Sequence, residues 1–392
     1  MKKHNIRTKL FGICVVLVFV FLGYRYIKKQ AYVSPIAVPT VSEEVASATC
    51  LKDIYAKEGI LIGTCLSPQH ILSEENRQVI TKQFNSITLE NYMKPDYIFN
   101  QQKSKQTGDL VVEFSSTALS LLSFAKENGM KLRGHTLIWH SQTPSWIFTD
   151  NFESTGTLVD RETMLCRMES YIKQVFETIE ELGYSDLFYA YDVVNEGILE
   201  DGNLRSTNSY WYQIIGEDYI WYAFYYADQY APENISLFYN DYNEEQKVLP
   251  ITHFVQTLVD KDGNSLIDGI GLQAHLFLSV DVDTYLEALR SFCELGLEIQ
   301  ITELDIGLGA YGAPVEPTES RMKEQGQYYY KLLSGIVEIK KELQANITAV
   351  TFWGFQDSLS WRSEYAPVLY DCYLNPKYSF YGAARKKEYA GF

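Results

Sequence analysis

The sequence lacks the usual signatures of metal and phosphate binding. Its 392 residues include only six cysteines and six histidines, and they form no C-x-x-C pair or His/Cys cluster, so no zinc site is predicted. A glycine-rich phosphate turn is also missing after the first apolar run, where the sequence reads Ile62-Gly63-Thr64-Cys65. We therefore expect neither a metal nor a cofactor.

Basic residues are scarce too, with 34 lysines and arginines against 50 aspartates and glutamates. The first thirty residues carry seven of these bases and no acid, so the formal charge of −16 leaves about −23 on the rest of the chain. Such a surface repels phosphate backbones, and a nucleic-acid partner is not expected. Aromatic residues, in contrast, make up 14% of the sequence. Their flat rings suit sugar faces as well as hydrophobic cores.

The apolar run from Leu10 to Tyr24 is too short for a comfortable membrane span and has the length of a secretory h-region. Basic residues before it favour an inside N-terminus, with the rest of the chain outside. Charged residues follow directly, and no A-x-A-like site occurs before Ala37. Residues 1–30 are therefore either a cleaved signal peptide or an uncleaved signal anchor that would tether the protein to a membrane. We expect an extracellular protein, secreted or membrane-anchored.

Residues 31–49 are small and polar and predict a linker. Cys14 lies in the apolar run, and the odd number of cysteines beyond it leaves at least one free thiol. One disulfide is compatible with the sequence, and its connectivity is open. The cysteines concerned are Cys50, Cys65, Cys166, Cys293 and Cys372.

Short β-rich runs alternate with longer helical patterns through residues 50–392, as in βαβ units of a parallel sheet. The predicted strands are Leu61–Ser67, Ser86–Asn91, Leu132–His140, Ala190–Glu196, Ser236–Tyr242, Gly269–His275, Glu298–Asp305 and Ala349–Phe355. The predicted helices include Thr117–Asn128, Arg161–Leu182, Tyr219–Tyr230, Val280–Glu294 and Arg321–Gln344. Eight such units predict the α/β class, as a single (β/α)8 TIM barrel. We expect the protein to be a monomer. The rival doubly wound sheet would require the glycine-rich turn that is missing.

The predicted strands end in polar residues, which marks the carboxyl-terminal mouth where barrel enzymes place their active sites. Burying that many polar side chains is costly unless they pair or bind a ligand. The strand-end candidates are Glu90, Asn91, Lys94, His135, Trp139, His140, Asn195, Glu196, Asn240, Asp241, Tyr242, Gln273, His275, Glu303, Asp305 and Trp353, with Trp361 in the following loop.

Glu196 and Glu303 end the fourth and seventh strands and would face each other across the mouth. A pair of carboxylates in this arrangement is what hydrolysis of a glycosidic bond requires, one protonated and one ionised. The rival interpretation is that each glutamate forms an ion pair with Lys94 or Arg133.

Several neighbours fit the glycosidase interpretation. His275 could be shared by Glu303 and Asp305 and keep Glu303 ionised, and Asn195 could bind a sugar hydroxyl. We expect His135 to contact sugar and His140 to be a satisfied structural histidine. Trp353 and Trp361 are expected to form walls against the sugar rings rather than lid packing.

From about Leu51 to Tyr389 the chain resembles the catalytic domain of glycoside hydrolase family 10 endo-β-1,4-xylanases. The resemblance lies in motifs that follow the family's order along the whole barrel. They are Thr88–Lys94, Arg133–His140, Asp192–Glu196, Trp211–Gly216, Tyr239–Asn243, Gly271–His275, Ile301–Asp305 and Thr351–Phe355. Departures are Gly197 in place of the common alanine, Ala274 in place of serine, and Gln356 in place of a smaller or apolar residue.

The resemblance implies a retaining endo-xylanase without a cofactor, with Glu196 as acid/base and Glu303 as nucleophile. It also implies sites along a xylan or xylo-oligosaccharide. Glu90, Asn91 and Lys94 would line the glycone side, His135 and Trp139 the cleaved bond, Gln273 and His275 the nucleophile, Trp353 and Trp361 the glycone sugars, and Tyr242 the aglycone side. The alternatives are a β-1,4-glucanase or cellobiosidase of the same family, and an inactive sugar-binding barrel.

Overall fold

The computed structural model describes residues 37–392. The predicted signal or anchor segment lies outside this part, as does the beginning of the predicted linker. No helix within residues 37–392 combines the length and the apolar character needed to cross a bilayer. The rest of the predicted linker contains a short helix, Glu43–Ala48, which begins after an N-cap bond from Val45 N to the Ser42 hydroxyl.

Nine strands, all paired in parallel, form the centre of the molecule. They are β1 Leu61–Leu66, β2 Ser86–Leu89, β3 Lys131–Trp139, β4 Phe188–Asn195, β5 Ser236–Asp241, β6 Gly269–Leu272, β7 His275–Phe277, β8 Glu298–Gly307 and β9 Ile347–Phe352. β1 to β6 pair in chain order, β6 pairs with β8, β8 with β9, and β9 with β1. These eight strands therefore close a barrel, which confirms the predicted fold and excludes the doubly wound sheet.

The helices surround the barrel. They are α1 Glu43–Ala48, α2 Leu51–Ala56, α3 Glu74–Gln83, α4 Pro95–Ile98, α5 Gln101–Thr107, α6 Ser116–Glu127, α7 Arg161–Glu181, α8 Tyr210–Ile215, α9 Tyr219–Tyr230, α10 Val248–Val255, α11 Val282–Cys293, α12 Glu319–Leu343 and α13 Tyr378–Ala383. Asp160, Asp281 and Thr318 cap α7, α11 and α12 by accepting backbone N–H bonds. Such caps fix where these helices begin, within two residues of the predicted starts at Arg161, Val280 and Arg321.

Strand burial follows from the layered architecture. All but the first residue of β8 is buried, because the barrel interior covers one side and helices cover the other. The predicted sixth strand is divided: Gln273 and Ala274 separate β6 from β7, and Ala274 adopts a left-handed φ of 57°. The apolar pattern does not reveal this break, since it depends on contacts from neighbouring segments.

The cysteines do not pair within residues 37–392. Cys50, Cys65, Cys166, Cys293 and Cys372 are all free thiols, so the disulfide that the sequence left open does not form among them. Cys14 lies outside the described residues.

Candidate active site

A cleft of about 1280 Å³ opens at the carboxyl-terminal ends of the barrel strands. It brings together every residue that the sequence predicted for catalysis or substrate contact. These are Glu90, Asn91, Lys94, His135, Trp139, Asn195, Glu196, Tyr242, Gln273, His275, Glu303, Trp353 and Trp361. Asp305, predicted as a supporting residue, is fully buried behind His275.

Glu196 follows the last residue of β4 with a left-handed φ of 57°. Its backbone is fixed on both sides, since its N–H donates to Asn240 O at 2.8 Å and its carbonyl accepts from Arg205 Nε at 2.7 Å. Its Oε1 lies 3.2 Å from Gln273 Nε2 and 3.3 Å from Asn195 Nδ2. Burial raises the pKa of the Glu196 carboxyl above its ordinary value. This favours the protonated form that a general acid needs.

Glu303 lies within β8, and only 5% of it is exposed. Its Oε1 accepts from Asn240 Nδ2 at 2.8 Å, and its Oε2 lies 3.3 Å from His275 Nε2. Burial by itself would raise the pKa of Glu303, but His135, His275 and Lys94 together lower it to about 2. The two glutamates therefore have pKa values shifted in opposite directions, which is how one site can hold an acid and a nucleophile together.

His275 lies between two carboxylates. Its Nδ1 is 3.2 Å from Asp305 Oδ2, and Asp305 in turn accepts a bond from Arg362 and one from Trp361 Nε1 at 3.0 Å. Burial lowers the pKa of His275, but Asp305 and Glu303 overcome this and raise it to about 9. The imidazole is therefore a cation at neutral pH, and it holds Glu303 ionised.

A network of side-chain amides joins the two glutamates. Asn240 donates from Nδ2 to Asn195 Oδ1 at 2.9 Å as well as to Glu303, and its own Oδ1 accepts from Thr302 at 2.6 Å. Gln273 Nε2 also donates to Asn195 Oδ1, at 3.2 Å. Because the Asn195 oxygen accepts both bonds, its NH₂ group points at Glu196 and is available to a ligand. The sequence places Asn240 at a strand end but predicts a role only for Tyr242, and no sequence pattern reveals that Asn240 bonds both Asn195 and Glu303.

Arg133 and Lys94 do not pair with the glutamates. The Nη2 atom of Arg133 bonds Asp192 Oδ1 at 2.5 Å deep in the barrel, and Asp192 Oδ2 lies 2.9 Å from His135 Nδ1. Lys94 Nζ donates to Asn91 Oδ1 at 3.1 Å and to Gln142 Oε1 at 2.8 Å. The rival interpretation of Glu196 and Glu303 as structural ion pairs with these two bases is therefore wrong.

The prediction for His140 is also wrong. Its Nε2 lies 4.0 Å from Glu196 Oε2, and its buried Nδ1 has no partner among the described residues, so it is not a satisfied structural histidine. Burial, with the charge of Arg205, lowers the pKa of His140 to about 4. A neutral imidazole thus faces Glu196 and adds no positive charge that would favour ionisation of that acid.

Tyr242 is tied to two residues that carried no signal in the sequence. Its hydroxyl donates to Glu200 and accepts from Arg205 Nη2 at 3.3 Å. The Lys247 ammonium lies 4.3 Å from the centre of its ring and bonds Asp241 at 2.6 Å. These contacts fix the Tyr242 ring in the cleft wall.

The tryptophans differ in exposure. Trp353 is 5% exposed and packs edge-on to His135, with ring centroids 5.5 Å apart. Trp361 is 57% exposed, and its ring centroid is 5.0 Å from that of His275. Trp361 therefore offers a large free ring at the cleft, whereas Trp353 shapes its floor.

Among residues 37–392, no group of three or more His, Cys, Asp and Glu side chains is arranged to hold a metal ion.

Several known proteins are similar to this chain in sequence, and one solved structure is similar in fold as well. A bifunctional endo-1,4-beta-xylanase of Ruminococcus flavefaciens is 39% identical over 345 residues, which cover 86% of this chain and 34% of that protein. A putative endo-1,4-beta-xylanase of Caldicellulosiruptor saccharolyticus is 39% identical over 303 residues, or 74% of this chain and 95% of that protein. A Clostridium thermocellum endo-1,4-beta-D-xylanase solved with xylohexaose has a TM-score of 0.77 and 35% identity, covering 87% of this chain and 68% of that one.

The chain spans between 32% and 47% of the length of the first three curated relatives it matches. The model of glycosyl hydrolase family 10 matches residues 50–386, which is most of the sequence and the whole barrel. The chain therefore belongs to glycosyl hydrolase family 10.

Proposed function

We propose that this protein hydrolyses internal β-1,4-xylosidic linkages of xylan with retention of the anomeric configuration. The observation that carries the proposal is the opposite shift of two carboxyl pKa values in one open cleft, raised at Glu196 and lowered to about 2 at Glu303. The activity printed for the relatives, endo-1,4-β-xylanase, supports the choice of substrate. The complex of the Clostridium thermocellum relative with xylohexaose supports it as well.

In the first step the ionised Glu303 attacks the anomeric carbon while Glu196 gives its proton to the departing oxygen. A covalent glycosyl ester forms, and the aglycone leaves as an alcohol. In the second step Glu196, now ionised, takes a proton from water, whose oxygen attacks the same carbon and releases Glu303. His275 keeps Glu303 ionised at the start of each cycle because its cationic ring lies beside Oε2.

The remaining cleft residues would bind sugar on either side of the broken bond. Asn195 presents its NH₂ group beside Glu196, where it can donate to a sugar hydroxyl. Glu90, Asn91 and Lys94 form a polar wall that suits the glycone hydroxyls, with Lys94 held by Asn91 and Gln142. Tyr242 would contact the aglycone. His135, Trp139, Trp353 and Trp361 would surround the sugars next to the cleaved bond.

Product analysis on β-1,4-xylan, with cellulose in parallel, tests the proposal. The parent is compared with Glu303→Gln and with Glu287→Gln, a matched change at an exposed helix position. We expect short xylo-oligosaccharides from the parent and the control, and none from Glu303→Gln. Proton NMR of the first products should show the β-anomer, and an α-anomer would refute retention.

The alternatives have distinct outcomes in the same assay. Turnover of cellulose without turnover of xylan would identify a β-1,4-glucanase. Silence on both polymers, together with binding of xylohexaose, would identify a sugar-binding barrel.

The proposal extends to location and assembly. The basic and apolar residues 1–30 support export of the enzyme, either released or anchored with the barrel outside. We further propose that it is a monomer, which size-exclusion chromatography with light scattering would test. Mass spectrometry of the mature protein separates these two forms. A start near residue 38 indicates cleavage, an intact Met1 in the membrane fraction indicates an anchor, and an intact chain in the cytosol would refute export.

A further inference from the structure

Glu244 is a buried carboxyl that the double displacement does not use. It follows β5 and Asn243, and only 1% of it is exposed. Its Oε1 accepts from Ala274 N at 3.0 Å and from the Tyr285 hydroxyl at 2.8 Å. Its Oε2 is buried without a partner among the described residues. Burial of a carboxyl costs free energy unless its oxygens are hydrogen-bonded, and here one of the two is not.

The amide that Glu244 binds belongs to the break between β6 and β7. Ala274 has a φ of 57°, a conformation that residues with a Cβ adopt at a cost in free energy. Its two neighbours face the catalytic pair: Gln273 Nε2 lies 3.2 Å from Glu196, and His275 Nε2 lies 3.3 Å from Glu303. Side chains two residues apart share one face of a regular strand, so the break is not needed to bring residues 273 and 275 to one site. What the left-handed turn at Ala274 sets is the direction in which each side chain leaves the backbone, Gln273 toward Glu196 and His275 toward Glu303.

The backbone around the break is otherwise tied to the adjacent strands. Gln273 N donates to Asp241 O at 2.9 Å, and the carbonyls of Gln273 and Ala274 accept from Glu303 N and Asp305 N at 3.0 and 3.3 Å. The Ala274 N–H donates instead to the Glu244 carboxyl. Glu244 thus supplies, through its side chain, the bond that holds the strained residue in place.

We propose that Glu244 is a positioning residue, which holds Ala274 in its left-handed conformation and thereby aims Gln273 at Glu196 and His275 at Glu303. The inference rests on the proposed hydrolytic function, in which both contacts matter. It assigns no direct contact with the reacting atoms to Glu244.

The surroundings of Glu244 make this positioning sensitive to pH. Burial, followed by the charge of Glu245, raises the pKa of Glu244 to about 7. The facing group is Tyr285 of α11, whose pKa is itself raised by burial and by Glu244 and Glu245. Tyr328 of α12 lies close enough to Glu245 and Asp281 for their charges, together with burial, to raise its pKa. A proton on Glu244 keeps the carboxyl neutral below pH 7. Above pH 7, ionisation of Glu244 places a buried negative charge beside Glu245, which favours opening of the turn at Ala274 to water.

The test compares kcat and KM for xylan from pH 4 to 9 in the parent, Glu244→Gln and Glu244→Leu, with Glu287→Gln as the surface control. Glutamine keeps the accepting oxygen but cannot ionise, so we expect kcat within about twofold of the parent at pH 5.5. Ionisation of Glu196 and of Glu244 both contribute to the loss of kcat at alkaline pH in the parent, so the alkaline limb of Glu244→Gln, which retains only the Glu196 contribution, should lie at higher pH. Leucine removes the acceptor, so kcat should fall about tenfold or more with a much smaller change in KM.

A second variant separates positioning from folding. Glycine adopts positive φ without the Cβ penalty, so Ala274→Gly introduced into Glu244→Leu should recover part of the lost kcat. A leucine variant with parental kcat would overturn the proposal. So would a glutamine variant that is as impaired as the leucine variant at pH 5.5, or that keeps the parental alkaline limb.

The proposed function is judged on the parent alone. A parent protein that does not hydrolyse xylan but hydrolyses β-1,4-glucan would refute the xylanase assignment. The variants at Glu244 would then be compared on the glucan. The two failures are therefore distinguishable.

Discussion

The imidazole Nε2 of His275 lies 3.3 Å from Oε2 of Glu303. This contact explains how a carboxylate that is almost completely buried can remain ionised, because the cation beside it offsets the cost of desolvation. The other ring nitrogen faces Asp305, which is bonded by Arg362 and Trp361. The charge state of the nucleophile therefore depends on residues that themselves touch no reacting atom.

Replacing His275 by asparagine should raise the pKa of Glu303, because burial would then be opposed by fewer positive charges. Glu303 must be ionised to attack, so the acidic limb of kcat/KM should move to higher pH. The measurement is a pH profile of xylan hydrolysis for the parent and His275→Asn. An unchanged acidic limb would mean that His275 does not control the ionisation of Glu303.

The same contact predicts how the free energy of unfolding depends on pH. The depressed pKa of Glu303 contributes stability above its unfolded value near 4.3, and this is lost as pH falls toward 2. The pKa of His275, raised to about 9, contributes stability below its unfolded value near 6.5, and this is lost as pH rises through 9. The two shifts share the contact between His275 and Glu303 and therefore do not simply add. His135 also lowers the pKa of Glu303, and Asp305 contributes more than Glu303 to the raised pKa of His275.

Urea unfolding of the parent and His275→Asn over a pH series tests this. The difference in unfolding free energy between them should be largest between about pH 4.5 and 6.5, and should shrink toward either extreme. A difference that is constant with pH would refute the linkage.

Azide should distinguish the two catalytic glutamates. With an aryl xylobioside, whose leaving group needs little protonation, azide can occupy the space left by Glu303→Ala and should give an α-glycosyl azide. In Glu196→Ala it should attack the covalent intermediate and give the β-glycosyl azide. For xylan itself, loss of the acid/base residue should lower kcat about 10² to 10⁴-fold. Exchanged stereochemical outcomes would reverse the two roles.

Arg362→Ala should destabilise the protein strongly. It removes one partner of a buried ion pair and leaves the Asp305 carboxylate to His275 and Trp361, a change that costs up to about 3–5 kcal/mol. Exposed pairs contribute far less, so Lys173→Ala, which breaks a surface pair with Glu177, is the matched control. Chemical denaturation gives the free energy of unfolding of both variants. An equal loss in the two would show that burial of the Asp305 pair does not increase its contribution to stability.

Trp361→Ala should weaken substrate binding, because more than half of the side chain is exposed at the cleft. It should also lower stability by about 1–3 kcal/mol, because it removes the hydrogen bond from Nε1 to the buried Asp305 carboxylate. Loss of one ring contact with a sugar amounts to roughly 1 kcal/mol, or about fivefold in kcat/KM. Kinetics on xylohexaose and thermal unfolding together check this. An unchanged kcat/KM would place Trp361 outside the binding surface.

The sequence determined the barrel and pointed to the two glutamates that we propose as its catalytic pair. Apolar runs at intervals of a strand and a helix predict eight parallel strands. Polar residues at strand ends converge because parallel strands in a barrel share one carboxyl-terminal mouth. Glu196 and Glu303 could be named on that basis.

Only the tertiary structure decided which neighbours set their ionisation. Three contacts join segments that are far apart in sequence. They are the approach of His140 to Glu196, the two bonds of Asn240, and the buried bond between Glu244 and Ala274. Periodicity reports which face of a strand or helix a residue occupies, but not which partner lies opposite or how well it is screened. A pKa depends on just those distances and on burial, so the chemistry of the site is a property of the folded chain.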